Sequence, residues 1–307
     1  MKKFIMKLML LFVILFAVDR VAGFILGNWI SRVTTSVLGK DNYICDHCND
    51  DVLIFGSSRA EYHYNAKMLE DSLGLPAYNC GASGDGVIMS YGRLMMIQKR
   101  HHPKVIIAEI TPTFDLGIND NHKYLRLLKS HYDREGISEI FDKVDSLEKY
   151  KMMSYLYRYN SNVMHNPLRL LKPETFSKNA IGVNGYIAMD KEFDSMKISE
   201  REEKEIETDS VKIYYLKRFA EKASETSQLL FVVSPIWYGR DISASDPFLV
   251  AKEIADDKGI PFLDFTNDPK YVHNNAYFKD GSHLNARGAD EFTRDLIREL
   301  KNRGIMN

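Results

Sequence analysis

Cysteine is scarce in this chain, with three among 307 residues. That is too few for a disulfide-stapled scaffold, so a packed core has to hold the fold. Two of the three form the close pair Cys45-Asp46-His47-Cys48. A local disulfide, or no role at all, is the expectation for Cys45 and Cys48 if the domain lies outside the cytoplasm. Zinc would need two further ligands that the neighbourhood does not supply, and the pair lacks the βαβ setting of a thiol-redox motif, so no metal is expected. Cys80 reads as a small apolar packing residue. An excess of either charge is also missing: 41 Lys and Arg stand against 42 Asp and Glu, a formal net charge of −1. No global field then favours nucleic acid, and no nucleic-acid partner is expected. The nine histidines contain no His-Glu-x-x-His. The glycine-rich stretch Gly81 to Gly86 lacks the Lys-Ser/Thr of a phosphate loop. Neither a zinc protease nor a nucleotide site is indicated, and no cofactor is expected.

What is present begins with the compartment. Lys2, Lys3 and Lys7 precede an uncharged apolar run from Leu8 to Val18, and a second apolar stretch, Val21 to Ile30, follows Asp19-Arg20. A positive start and an apolar run of this kind mark an exported chain. A helix over about 4–30 would carry an acid–base pair near its middle, at about 2.5–3.5 kcal/mol per charge at a bilayer centre. Placing the pair near the outer interface lowers that cost. Residues 1–30 are read as an uncleaved signal anchor in inner-membrane lipid, with the lysines inside and an extracytoplasmic domain. The alternative is a secreted or periplasmic protein cleaved near Val21-Ala22-Gly23. Residues 31–50 are polar and read as a tether.

With 45% apolar content the remainder can bury one substantial core. From Asp51 short apolar runs alternate with helical segments. The expected strands are 52–55, 77–79, 104–110, 229–233 and 261–264, and the expected helices are 60–73, 87–101, 211–227, 246–258 and 287–301. Strands separated by such helices imply right-handed crossovers and a parallel sheet covered on both faces, an α/β fold. The rhythm breaks over 114–209, where 122–130 and 137–159 look helical, 161–172 is rich in Asn, Leu and Arg, and 192–208 is densely charged. A break this long reads as a mainly helical insertion, either a substrate-shaping lid or a cap with no contact with substrate.

The chemistry-bearing residues lie on one rim of that sheet. Ser58 follows the first strand in Gly56-Ser57-Ser58, at a carboxyl end where open α/β sheets bind ligands. A hydroxyl is a poor nucleophile without a base. His283 offers one from the loop before the last helix, and Asp280, three residues earlier, is placed to orient the imidazole. The plain readings are a helix-opening serine, a loop histidine and a turn aspartate. His63, two residues after Glu61, reads as part of a solvated helix face.

Gly56-Ser57-Ser58 followed by Asp280-x-x-His283 resembles the SGNH/GDSL hydrolase superfamily, whose first block is Gly-Asp-Ser and whose last is Asp-x-x-His. Tyr78-Asn79-Cys80-Gly81-Ala82-Ser83-Gly84-Asp85-Gly86 resembles its second block, in which Gly84 by position offers a backbone N–H to an oxyanion. Thr111-Pro112-Thr113-Phe114-Asp115 stands where a Gly-x-Asn-Asp block is expected, so the asparagine donor is missing, and Asn79, Thr111 and Thr113 are candidate replacements. The resemblance covers about 51–300 without the insertion. It implies a three-layer, flavodoxin-like sandwich around a central parallel five-stranded sheet. It also implies an acyl-serine at Ser58, with the N–H groups of Ser58 and Gly84 in the oxyanion hole. The implied substrate is an acylated carbohydrate or small ester, cleaved by an esterase acting on an envelope glycan or transferred by an O-acyltransferase to a cell-surface polysaccharide. A degenerate scaffold or glycan-binding domain is the non-enzymatic alternative. Trp237, Tyr238 and the insertion's tyrosines are candidate sugar-stacking residues.

Overall fold

The computed structural model describes residues 1–163, 177–191, 193, 206–237 and 245–305. Tyr238, the stretch 164–172 and most of the charged stretch 192–208 lie outside the described residues.

Five short strands form one parallel sheet: β1 (Val52–Phe55), β2 (Ala77–Asn79), β3 (Val105–Glu109), β4 (Gln228–Val233) and β5 (Phe262–Asp264), in the order β2-β1-β3-β4-β5. Val52 pairs with Ala77 on one side and Val105 on the other, Val105 with Gln228, and Phe231 with Phe262. Every residue of β1 and β3 is buried, which explains why Val52 to Phe55 and Val105 to Ala108 read as continuous apolar runs rather than alternating ones. Side chains alternate across the sheet with period two. Leu53, Phe55, Ile106, Ala108, Phe231 and Val233 enter one core cluster, and Val52, Ile54, Val105, Ile107, Leu230 and Val232 enter the other.

Helices close both faces. In chain order they are α1 (Lys2–Ile30), α2 (Ser36–Asp46), α3 (Ser58–His63), α4 (Ala66–Leu73), α5 (Val87–Gln98), α6 (Pro112–Asp115), α7 (Leu125–Leu128), α8 (Ile137–Val144), α9 (Glu148–Lys151), α10 (Tyr155–Val163), α11 (Ser210–Ser224), α12 (Asp246–Asp257) and α13 (Ala286–Asn302). α5, α11 and α12 cover one face, while α3, α4 and α13 cover the other. The edge strand β2 is shielded where Asn79 N–H donates to Asn184 O at 2.9 Å.

Several expectations change. The helix expected over 60–73 is two helices, because Asn65 caps a new one, its side chain accepting from Met68 N–H. The stretch 137–159 is likewise broken into α8, α9 and α10. Residues 36–46, expected within a tether, are helix α2, and its polar side chains point inward to partners. Lys40 pairs with Glu61, Asp41 with Arg93, and Asn42 Nδ2 donates to the carbonyls of Ile30 and Val33. Of the two readings of Cys45 and Cys48, the disulfide is not formed: they are separate buried thiols. Cys45 faces Asp41 and His131, whereas the Cys48 thiol donates to Asp50 at 3.5 Å. Burial pushes both thiols well above the ordinary range.

Candidate active site

The turn after β1 sets the nucleophile's position. Gly56 has φ +144, and a Cβ there would stand 2.8 Å from Glu109 O and 2.9 Å from Ala60 Cβ. Only glycine lets β1 pass so close to β3 and turn into α3. Ser58 is the first residue of α3, so its N–H lies in the first turn, which has no intrahelical acceptor.

The loop before α13 is clamped from both sides. Phe278 and Leu284 form an antiparallel bridge, Lys279 N–H donates to His283 O at 2.9 Å, and Asn285 caps α13 while its Nδ2 donates to Ala276 O and Phe278 O. This loop brings His283 Nε2 to 2.8 Å from Ser58 Oγ, across 225 positions of sequence. On the far side of the ring, His283 Nδ1 lies 3.0 Å from both carboxylate oxygens of Asp280. Asp280 Oδ1 also accepts the N–H groups of Ser282 and His283, each at 2.9 Å. Burial raises the Asp280 carboxyl, but the His283 bond and charge and the two N–H groups outweigh it and hold it below the ordinary aspartate value. An ionised Asp280 favours the tautomer with hydrogen on Nδ1, which leaves Nε2 to accept from Ser58.

The oxyanion candidates separate. Gly84 sits in the exposed turn that opens α5, held through Ser83, whose N–H and hydroxyl donate to Glu61 at 2.9 and 2.6 Å. Asn79 is committed elsewhere: its Nδ2 donates to Ala60 O and Tyr64 O, and its Oδ1 accepts from Gly81 N–H. That bracing takes it out of the oxyanion role for which it was one candidate. Thr113 is half-buried on α6, and Thr111 has a buried hydroxyl without a partner among the described residues. Trp237, read either as a sugar platform or as a packing residue, packs edge-on against Phe193 and His273 and donates from Nε1 to Asn275 at 2.8 Å.

No family model and no curated protein matches the sequence. Among solved structures the chain is similar to an acetyl xylan esterase, at 11% identity and a TM-score of 0.38, with 82% of this chain and 99% of that chain covered.

Beneath the Ser58–His283 pair lies a buried network that residue types alone did not reveal. His63, expected on a solvated face, is fully buried. Leu284 N–H donates to its Nε2 at 3.0 Å, so that nitrogen carries the lone pair and Nδ1–H donates to Ser234 Oγ at 2.7 Å. Ser234 Oγ in turn donates to Glu109 Oε1 at 2.9 Å, and Glu109 pairs with Arg59 at 3.2 Å and accepts from Tyr64 OH. Burial, with the charges of Arg59 and His283, pushes His63 well below the ordinary histidine value, so it stays neutral. One end of this chain of bonds is Arg59, beside Ser58. The other is Leu284, beside His283.

Asp115 ends the segment Thr111-Pro112-Thr113-Phe114-Asp115 after β3. Burial pushes its carboxyl up to about 7 against the Thr111 N–H it accepts, and the charge of Glu109 adds to the rise. An acid whose folded value lies above its unfolded one, about 3.9, contributes stability that is fully present below about 3.9 and lost as pH rises through about 7. Asp115→Asn keeps an acceptor for Thr111. Urea denaturation at pH 5 and pH 8 should show the wild type weaker at pH 8, and the variant should remove most of that difference, on the order of a few kcal/mol. Equal pH dependence in both proteins would exclude Asp115 as its source.

Proposed function

We propose that this chain is an SGNH-type serine enzyme that processes esters through an acyl-serine at Ser58. The observation that supports it best is the continuous path from Ser58 Oγ through the two ring nitrogens of His283 to the Asp280 carboxylate. In this reading Ser58 Oγ attacks the ester carbonyl as its proton passes to His283 Nε2, and Asp280 stabilises the imidazolium. The N–H groups of Ser58 and Gly84 receive the developing oxyanion, with Thr113 as a side-chain candidate. The imidazolium then protonates the leaving alkoxide. Water, deprotonated by His283, attacks the acyl-serine and releases the acid and free Ser58. The substrate class is O-acyl groups of an envelope glycan, and a sugar hydroxyl in place of water would make the same site an O-acyltransferase.

The chemistry is assigned to 51–307, with 114–209 as an insertion in it. α1 is 29 residues long and apolar enough to cross a membrane. We read it as an uncleaved anchor with the domain outside the cytoplasm, a cleaved signal being the alternative. A fluorophosphonate probe tests the serine chemistry: it should label the wild type and fail to label Ser58→Ala and His283→Ala. A wild type that never labels would instead favour a glycan-binding scaffold, the reading that the missing third-block asparagine invites.

A further inference from the structure

The acid–base pair in the middle of α1, costly inside a bilayer, is where the rest of the chain grips this helix. Asp19 caps the start of α10: Oδ1 accepts from Ser154 Oγ at 2.6 Å and Leu156 N–H at 3.0 Å, and Oδ2 accepts from Tyr155 N–H at 2.9 Å. Arg20 donates to Met153 O at 2.8 Å and lies over the rings of Phe16 and Tyr155. One turn on, Gly23 and Gly27 let α10 approach closely. A Cβ would stand 2.2 Å from Tyr155 Cβ at the first and 2.7 Å from Tyr159 Oη at the second. Asp19, Arg20, Gly23 and Gly27 share one face of α1.

The opposite face stays open. Val21 and Ile25 are 60% and 59% exposed, and Phe24 between the two faces is 74% exposed. A bilayer core about 30 Å thick needs about 20 residues of helix. Counted from Phe4, that span ends near Gly23, at the level where α10 begins. The segment gripping Asp19 and Arg20 therefore lies at the depth where hydrocarbon gives way to headgroups. It carries apolar side chains that the described residues leave exposed: Met153 is 64% exposed, Tyr150 62% and Leu156 41%. Lys149 holds its ammonium 5.3 Å from the Tyr150 ring centre, and an aromatic beside a basic residue suits a membrane–water interface.

We propose that Tyr150, Met153 and Leu156 form a lipid-contacting surface, so that the domain is clamped to its own anchor and rests this edge among the headgroups. The occupant is bilayer lipid because the patch continues the lipid-facing side of α1 at the same depth. The proposal rests on the anchor reading of α1, and its test separates the two. In the full-length chain in phospholipid nanodiscs, nitroxide labels would be placed singly through Phe12→Cys, Met153→Cys, Leu156→Cys and, as an aqueous control on α12, Leu249→Cys; the three native thiols are buried. Collisions with lipid-soluble oxygen should outnumber those with a water-soluble nickel complex at 12, 153 and 156, with the ratio reversed at 249. A lipid signal at 12 with an aqueous signal at both 153 and 156 overturns the proposal and leaves the anchor. Shielding of both 153 and 156 from both reagents overturns it in favour of a protein partner or second copy. An aqueous signal at 12 removes the anchor and the proposal with it.

Discussion

Ser58→Ala should lower ester turnover by roughly 10⁴-fold or more, and His283→Ala by a comparable factor, because each removes one end of the only proton path the proposed reaction has. The two should not add. Once the nucleophile is gone the base has nothing to activate, so Ser58→Ala combined with His283→Ala should be about as slow as either alone. Asp280→Ala should cost less than either: it removes the partner of the ring and of the Ser282 and His283 N–H groups, but the Lys279 N–H to His283 O bond and the Asn285 bonds still hold His283 near Ser58. The measurement is kcat/KM on an activated acetyl ester, with circular dichroism confirming that each variant folds. Ser58 is half-buried at the start of a helix, a position where alanine fits. A Ser58→Ala protein that keeps wild-type turnover would remove acyl-serine chemistry, whatever its distance from His283.

Much of this site was legible because its parts are local. Val52 to Phe55 is short and wholly apolar, and Val105 to Ala108 is an apolar run closed by Glu109, which is what an interior parallel strand requires. The loop at 280–283 closes on itself, since Asp280 both accepts its own loop's N–H groups and meets the ring three residues on. What escaped were buried polar groups whose partners are distant in sequence. Lys40 and Asp41 look like solvated tether residues until Glu61 and Arg93 are known to face them, 21 and 52 positions away. His63 looks exposed until Leu284, 221 positions on, donates to it. Composition prices a charge as though water surrounds it. A charge that has exchanged water for a fixed partner leaves no mark in its own neighbourhood. The tether reading of 36–46 fails for this reason: α2 packs on its charges, and Cys45 and Cys48 beside it face different neighbours.

The distant pair with most at stake is Arg59–Glu109. Glu109 ends β3 fully buried, pairs with Arg59 at 3.2 Å and accepts from Ser234 N–H at 3.1 Å and from Tyr64 OH. Burial is the largest influence on its carboxyl and raises it, with Arg59 opposing. Glu109→Ala would leave the Arg59 guanidinium buried against Ser234 without its counter-charge, at a cost of about 3–5 kcal/mol. Against a typical total of about 5–15 kcal/mol, that is a large share of the folded state's margin. The same change should slow catalysis, since Arg59 adjoins Ser58 and Ser234 bonds to His63, which holds Leu284 beside His283. Removing both charges, as Arg59→Met with Glu109→Leu, should recover most of the stability, because a buried ion pair offsets its own desolvation only in part. The lost activity should stay lost, since Ser234 Oγ would no longer have Glu109 to accept its proton and fix its lone pairs towards His63. Urea denaturation and kcat/KM on the same three variants separate these effects. If Glu109→Ala costs less than about 1 kcal/mol, the range of an exposed pair, the network does not hold the rim, and the alignment of Ser58 with His283 must come from the loop at 279–284 alone.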